Sequence, residues 1–302
     1  MFTLVVTNRK GGTAKTTTAV NLAAEFSKQG RRCLLIDLDP QGHCGLGVGA
    51  KTQHRVSDHH HIMANSRQAL DNLLHETSHD NLFFIPPGQK TENQEFKKER
   101  LHKFLSRKQL HTYFDIAVID TPPNAGLEQE AAIEAADGVL IPFLPTPLGK
   151  TGIKDLMQDL NRTPYGLIPI MLDSRVNLDK QILSDVIAEH GTEKILRGVR
   201  RNVKLAEAFD AGQPVNIFDA KSRGAFDYHM LAEDIASLWP RLYPRQTPLS
   251  FREQAQIKRF PRKIPNKIGN SVKPAVSPAT SEETSVTHRG IRLKDKCLQW
   301  NG

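Results

Sequence analysis

Short apolar runs recur along the first 240 residues, each emptying into a polar or glycine-rich turn, and stretches with apolar residues at helical spacing lie between them. The first run, Phe2–Val6, is nearly free of polar residues, as a strand covered on both faces requires. The pattern turns helical over Lys15–Lys28, where Ala19, Leu22, Ala23 and Phe26 share one side and Gly30 provides the stop. Further strands are predicted over 32–36, 114–120, Gly138–Phe143 and Tyr165–Leu172, with a short one leaving into a turn over 81–88. Helices are predicted over 149–160 and 225–238. A basic amphipathic helix is expected over 94–109; its Lys97, Lys98, Arg100, Lys103, Arg107 and Lys108 could meet nucleic acid, with a solvated face as the default. Repeated alternation of strand and helix specifies an α/β fold, doubly wound, with a mostly parallel sheet and right-handed crossovers. Ligands of such sheets bind beyond the carboxyl ends of the strands.

The turn leaving the first strand carries the chemistry. Residues 8–18 read NRKGGTAKTTT. Glycines let backbone N–H groups converge on an anion and the following helix aims its positive end at the same point, so strand, glycine turn and helix make a phosphate site. Lys15 is expected to reach the β- and γ-phosphates, and the Thr16 hydroxyl to ligate Mg²⁺. The plain P-loop spacing G-x-x-x-x-G-K-[ST] is met incompletely, because Arg9 and Ala14 stand where glycines belong. A second lysine, Lys10, precedes Gly11 and Gly12, giving the order K-G-G-x-x-K-T-T. That order resembles the deviant Walker A box of the ParA/MinD family of P-loop ATPases. The resemblance implies two ATP molecules with Mg²⁺ sandwiched between two protomers, Lys10 crossing the interface to the partner's nucleotide. It also implies that Gly11, Gly12, Thr13, Ala14, Lys15, Thr16 and Thr17 surround the phosphates, Ala14 setting a methyl near them where glycine is commoner.

Asp37 and Asp39 close an apolar run in L-I-D-L-D-P-Q-G, and Asp120 closes another in D-T-P-P. An acid ending an apolar strand is the Walker B arrangement, in which a carboxylate holds Mg²⁺ through water. Both segments resemble the ParA pattern. By that resemblance Asp39 positions the attacking water, Asp37 supports the Mg²⁺ shell, Asp120 holds the ion through water and D-T-P-P is the switch that answers the γ-phosphate. A lone D-x-D more often caps a turn; its coupling to the lysine box at the right distance favours the functional reading.

Residues 171–177 and 201–208 resemble the Soj branch of ParA proteins, which assigns Arg201 and Asn202 to the adenine pocket. Arg175, Arg197, Arg200, Lys204 and Arg223 are the candidate DNA contacts, although each taken alone reads as surface charge; Arg200 stands where that branch has proline. The resemblance implies a slow ATPase stimulated by a ParB-like or cargo adaptor, a homodimer in the ATP state that binds DNA without sequence preference. Such a protein segregates a plasmid or chromosome or positions a protein cargo, and is cytoplasmic and nucleoid-associated. Since the chain opens in its first strand, operator reading by an amino-terminal helix-turn-helix is not expected.

At 302 residues, with 38% hydrophobic and 25% charged residues, the composition is that of an ordinary globular protein. The net charge of +8 is not evenly spread: residues 245–302 hold twelve Lys or Arg against four Asp or Glu, whereas residues 1–244 hold 29 of each sign. An ATPase domain over 1–244 and a basic, Pro/Ser-rich disordered tail over 245–302 are therefore expected. The tail motivates a second reading, a MinD-like membrane-surface or conjugation-linked ATPase in which basic residues among Ile291, Leu293, Leu298 and Trp300 make a weak membrane contact. Metabolic chemistry on related folds, as in nitrogenase iron protein or amide synthases, is disfavoured because Cys33 and Cys44 do not sit in cluster-ligand contexts. Cys33, Cys44 and Cys297 have no C-x-x-C spacing, so neither a disulfide framework nor a cysteine metal site is expected, and the compartment reads as reducing. Neither a signal peptide nor a spanning segment is expected. His59, His60 and His61 read as a solvated loop, since three adjacent side chains do not easily share one ion.

Overall fold

Consecutive residues of each strand bury against opposite layers. Leu4 and Val6 belong to one apolar cluster and Val5 to the other; Cys33 and Leu35 face the first, Leu34 and Ile36 the second. With both faces covered, nothing in a strand can be polar without a partner, which is why the runs are apolar throughout. The computed structural model describes residues 1–50, 62, 70, 73–88, 97–160 and 165–238. The predicted tail over 245–302, the domain boundary before it, the run His59, His60, His61 and Cys297 lie outside the described residues.

In chain order the elements are β1 (Phe2–Val6), α1 (Lys15–Lys28), β2 (Cys33–Asp37), α2 (His43–Gly47), β3 (His75–Glu76), β4 (Leu82–Ile85), α3 (Lys98–Leu105), α4 (Lys108–Tyr113) and β5 (Ile116–Asp120). There follow α5 (Leu127–Glu134), β6 (Gly138–Phe143), α6 (Pro147–Leu160), β7 (Tyr165–Leu172), α7 (Asn177–His190), β8 (Val199–Arg200), α8 (Val203–Asp210), α9 (Val215–Phe218) and α10 (Arg223–Leu238). The sheet runs β3-β4-β2-β5-β1-β6-β7-β8, and every pairing is parallel except that of the short β3 with β4. This is the doubly wound α/β sheet expected, with β1 central.

Register decides where the site falls. Val6 of β1 lies opposite Asp120 of β5, and Asp120 lies opposite Asp37 of β2. The last residues of three neighbouring strands therefore stand in one row, and the turn leaving β1 passes directly over the two acids.

On one face of the sheet α1 packs with α10; Ala19, Leu22, Ala23 and Phe26 of α1 and Tyr228, Leu231 and Ile235 of α10 belong to one cluster. Three polar contacts join the same pair of helices. The Thr18 and Tyr228 hydroxyls lie 3.2 Å apart, His229 Nδ1 is 3.1 Å from Glu25 Oε2, and Gln29 Nε2 donates to Glu233 Oε1 at 2.7 Å. The opposite face is covered by α3 to α7, through residues such as Phe104, Leu110, Ala132, Ile153 and Val186.

The basic helix expected over 94–109 is two helices, α3 and α4, and residues 94–96 lie outside the described residues. The break falls at Arg107, which is extended, with φ −62° and ψ 128°, just after Ser106 gives both its amide, at 2.9 Å, and its hydroxyl, at 2.7 Å, to the His102 carbonyl. The two helices bury Leu101, Phe104, Leu105 and Leu110, while Lys98 pairs with Glu130 and Glu134 of α5. Other predicted boundaries move by one or two residues, as at β2, α6 and α10. The sequence reading assigned neither α5 nor α7. In α7 the buried Ile182 and Val186 do stand at helical spacing, whereas the octapeptide LEQEAAIE of α5 shows no stripe.

Candidate nucleotide site

The turn between β1 and α1 is held from below by buried hydrogen bonds. Thr121, immediately after β5, donates its hydroxyl to Thr7 Oγ1 at 2.9 Å and lies 3.1 Å from the Val6 carbonyl. Gln129 Nε2 of α5 donates to Thr7 Oγ1 at 2.9 Å. Asn8 Nδ2 donates to the Pro142 carbonyl of β6 at 2.8 Å, while Asn8 Oδ1 accepts from the Lys10 amide at 2.9 Å. A Cβ added at Gly152 of α6 would meet Asn8 Oδ1 at 3.2 Å and Lys10 Cβ at 3.6 Å, so this helix comes in close only because the position is glycine. These contacts pre-form the loop on its strands, which is what an anion site needs if binding is not to be spent on ordering it.

Two residues of the loop take the left-handed conformation: Gly12, with φ 74°, and Ala14, with φ 57° and ψ 32°. For alanine that conformation costs about 1–2 kcal/mol, which explains why glycine is the easier residue here. A Cβ at Gly11 or Gly12 would meet nothing within 4 Å. The loop thus borders open room at its two glycines.

Lys15 is buried at 7% exposure, and its Nζ donates back across the loop to the Lys10 carbonyl at 3.1 Å. Burial pulls its ammonium below the ordinary lysine range, against the charges of Asp120 and Asp39, which raise it. The exposed Lys10 contributes its backbone to the loop and leaves its own side chain at the surface. Thr16 donates its hydroxyl to Asp120 Oδ2 at 2.7 Å, and the Cys44 thiol approaches the same oxygen at 3.4 Å. Asp120 Oδ1 is buried without a hydrogen-bond partner. Asp37 accepts from the backbone amides of Asp39 at 2.9 Å and Cys44 at 3.1 Å. The half-buried Asp39 accepts from the Gln41 amide at 3.0 Å.

A row of oxygen donors with one orphaned carboxylate oxygen fits a hard divalent cation such as Mg²⁺, held by Thr16, Asp37 and Asp120 directly or through water. The electrostatics agree. Burial pushes the Asp120 carboxyl up to about 6, although hydrogen bonds from Thr16 and Cys44 and the charge of Lys15 oppose this. Asp37 is also pushed well up, first by burial and then by the neighbouring Asp120. Two acids so placed are costly as a pair of anions until a cation joins them.

This has a measurable consequence in the metal-free protein. The folded value of Asp120 lies above its ordinary value of 3.8, so the folded state binds the proton more tightly than the unfolded one. The resulting stabilisation is complete below the unfolded value and is lost as pH rises through about 6. It amounts to about 3 kcal/mol, an order-of-magnitude figure. Urea unfolding of the parent and of Asp120→Asn should therefore diverge between about pH 4 and pH 6, the asparagine variant gaining relative stability as the pH rises. Parallel pH profiles would contradict the assignment.

Beside the loop lies a cavity of about 420 Å³, lined among others by Ala14, Thr17, Arg201, Asn202, Phe209 and Tyr228. Its volume is that of a small-molecule pocket. Asn202 has a second task, capping α8 by accepting from the Lys204 amide at 2.9 Å. Met171 on the wall of the cavity has φ 57°, a left-handed conformation unusual for an unbranched side chain in a strand.

The basic candidates are more engaged than their sequence context suggests. Arg175 pairs with Asp173 at 2.7 Å, Arg197 with Asp234 at 3.5 Å and Lys204 with Glu207 at 2.7 Å. Arg200 grips the buried Asp227 of α10 with its guanidinium and its backbone amide, so it fastens β8 to α10. Arg223 is exposed at the first position of α10.

Three parts of the site escaped the sequence reading. The Thr7, Thr121 and Gln129 network joins residues more than 100 positions apart. Gly152 sits inside a helix where glycine is ordinarily a weak residue, and that oddity was its only signal. The spacing of Cys44 in the chain points to no metal site, yet the fold brings it against both acids. Among the described residues no helix is long and apolar enough to cross a membrane.

Comparison with known proteins supplies the context. A family model described as an AAA domain matches residues 1–165. Over 267 residues the chain is 33% identical to the chromosome partitioning protein ParA of Myxococcus xanthus, covering 83% of this chain and 91% of that protein. It is 31% identical over 251 residues to the sporulation initiation inhibitor protein Soj of Bacillus subtilis, covering 78% of this chain and 98% of the relative. Its fold matches that of the septum site-determining protein MinD of Pyrococcus horikoshii, solved with Mg-ADP, at a TM-score of 0.67 and 21% identity over 80% of this chain and 98% of that one. With these two relatives at 33% and 31% identity and the family model over residues 1–165, the chain belongs to the ParA/Soj branch of the ParA/MinD family of P-loop ATPases.

Proposed function

We propose that this protein is a partition or positioning ATPase that pairs two protomers around ATP and Mg²⁺, holds DNA without sequence preference while paired, and lets go after hydrolysis. The observation that carries this reading is the row formed by Thr16, Asp37 and Asp120 beneath a glycine loop that borders open room. When bound, the nucleotide and its ion supply the phosphoryl group open to attack by water and the charge that neutralises it. Backbone amides of residues 11–16 cradle the phosphates, Lys15 balances their charge from within the loop, and Thr16, Asp37 and Asp120 hold the ion. Asp39, close enough for its charge to act on both Lys15 and Asp120, is the group that orients the attacking water. Lys10, exposed beside the same loop, is free to reach a nucleotide held by a second copy.

The relatives named ParA and Soj support partition of DNA as the task. The surface around Arg175, Arg197, Arg200, Lys204 and Arg223 is the proposed DNA face, with a ParB-like or cargo adaptor as the stimulating partner. The excess positive charge of residues 245–302 also supports a weak contact with anionic membrane, to be read by liposome sedimentation with and without that segment. Two measurements test the main reading. Light scattering should give a doubled mass with a non-hydrolysable ATP mimic and a single mass with ADP; one mass in both states defeats the pairing. Electrophoretic shift on random DNA should need the ATP state. With about five phosphates neutralised per dimer, affinity should fall by roughly two decades between about 0.1 and 0.3 M salt. Affinity that ignores salt defeats the DNA reading.

A further inference from the structure

The ends of β2 and β5 hold a thiol for which the nucleotide reading has no task. Cys44 is fully buried with Sγ 3.4 Å from Asp120 Oδ2, and one ligand atom from each of Asp37, Cys44 and Asp120 lies within 4.8 Å of the others. The Asp120 oxygen beside the thiol is Oδ2, and the other oxygen of this fully buried carboxylate, Oδ1, is left with no hydrogen-bond partner. A buried polar atom left without a partner costs free energy, and a cation is one group that would satisfy it.

The thiol is also held in place. The Cys44 amide donates to Asp37 Oδ2 at 3.1 Å. Just after it α2 is pressed against aromatic rings: a Cβ at Gly45 would come within 3.0 Å of the Phe84 ring, and one at Gly47 within 2.9 Å of the Phe209 ring. The backbone that carries Cys44 is therefore closely packed, which is the rigidity a ligand set requires.

We propose that Asp37, Cys44 and Asp120 form a site for a soft or borderline divalent cation, zinc in the first instance, which competes with magnesium for the same two carboxylates. In a tetrahedral zinc site with Zn–S of about 2.3 Å and Zn–O of about 2.0–2.2 Å, sulfur and oxygen ligands stand about 3.6 Å apart. The observed 3.4 Å between Cys44 Sγ and Asp120 Oδ2 is already close to that spacing. One sulfur and two carboxylates are a poor set for magnesium, which takes oxygen in near-octahedral array, and a good one for zinc, which takes four mixed ligands. As the metal binds, the thiol proton leaves to solvent and the fourth position stays open to water.

Binding itself does not depend on nucleotide. Its effect does rest on the function proposed above: zinc drawing Asp120 toward Cys44 takes that carboxylate from the Thr16 hydroxyl and displaces magnesium. Zinc would then hold the protein in its unpaired state.

The test is a titration of the full-length, nucleotide-free protein with Co²⁺, a spectroscopic stand-in for zinc. A thiolate-to-cobalt charge-transfer band should grow to one equivalent and vanish on adding Zn²⁺. The band should be absent from Cys44→Ser and Cys44→Ala and unchanged in Cys297→Ser. Zinc affinity, measured by chelator competition, should fall by at least about 100-fold in Cys44→Ser, beyond the loss usual for a residue outside the coordination shell. Serine, nearly the same size and still a donor to Asp120, guards against misfolding of the alanine variant, and its melting curve should match the parent's. The proposal is overturned by an undiminished band in both Cys44 variants, or by a parent that binds cobalt with no thiolate band. Because the band is read without nucleotide, a failure to bind ATP would strike the function proposed above and leave this site standing.

Discussion

Replacing Lys15 by alanine is expected to lower affinity for ATP by at least about 100-fold, with little change in the stability of the empty protein. The first half follows from bond strengths: hydrogen bonds to charged groups contribute about 1.5–3 kcal/mol each, so losing two phosphate contacts costs about 3 kcal/mol or more. The second follows from the position of the side chain. The Lys15 ammonium is buried beneath the loop, where desolvation already depresses it. Without nucleotide its recorded hydrogen bond is to the Lys10 carbonyl. Removing it takes away one bond and one ill-solvated charge together, and the two effects offset. Calorimetric titration with an ATP mimic beside a urea melt separates them. A variant that binds nucleotide normally would remove Lys15 from the site; one that loses its fold would make it a structural residue.

Asp39→Ala is expected to behave in the opposite way, binding nucleotide as the parent does and losing turnover by about 10²–10⁴-fold, the range over which a positioned general base contributes. Asp39 makes this split possible because it stands one step outside the metal row. Asp37 is clamped by two backbone amides and Asp120 by a hydroxyl and a thiol. The recorded partner of the Asp39 carboxylate is the Gln41 amide in its own turn. With binding intact and hydrolysis blocked, the variant should accumulate as the paired species in ATP, visible as persistent doubled mass in light scattering. Unchanged hydrolysis would remove the assigned role.

What could be read from the sequence is what is encoded locally. Each of β1, β2 and β5 announces itself as an apolar run closed by a residue of another kind, and Asp37 and Asp120 were legible because each is the last residue of its run. What could not be read is the pairing that makes them neighbours. β5 follows β2 by some eighty positions and inserts between it and β1, so the match of Asp37 with Asp120 depends on how loops bring distant strands together. The cavity is a stronger case, since its wall takes residues from Ala14 to Tyr228. Local conformation also mattered: the helix that charge and spacing predict over 94–109 breaks at Arg107, whose backbone is extended, a change that periodicity does not register.

Charge made a different kind of difficulty. Arg200, by sequence a candidate DNA contact, is also a clasp between β8 and α10 through Asp227. Composition counts a basic residue without its partner.

The seam between α1 and α10 has a mechanical implication. α1 starts where the phosphates would sit, and α10 is the last described element before the basic segment. Thr18 with Tyr228, Glu25 with His229 and Gln29 with Glu233 rivet the two along their length. A shift of α10 would therefore be passed to the helix whose first turn carries the nucleotide loop, and occupancy of that loop would be felt in α10 in return.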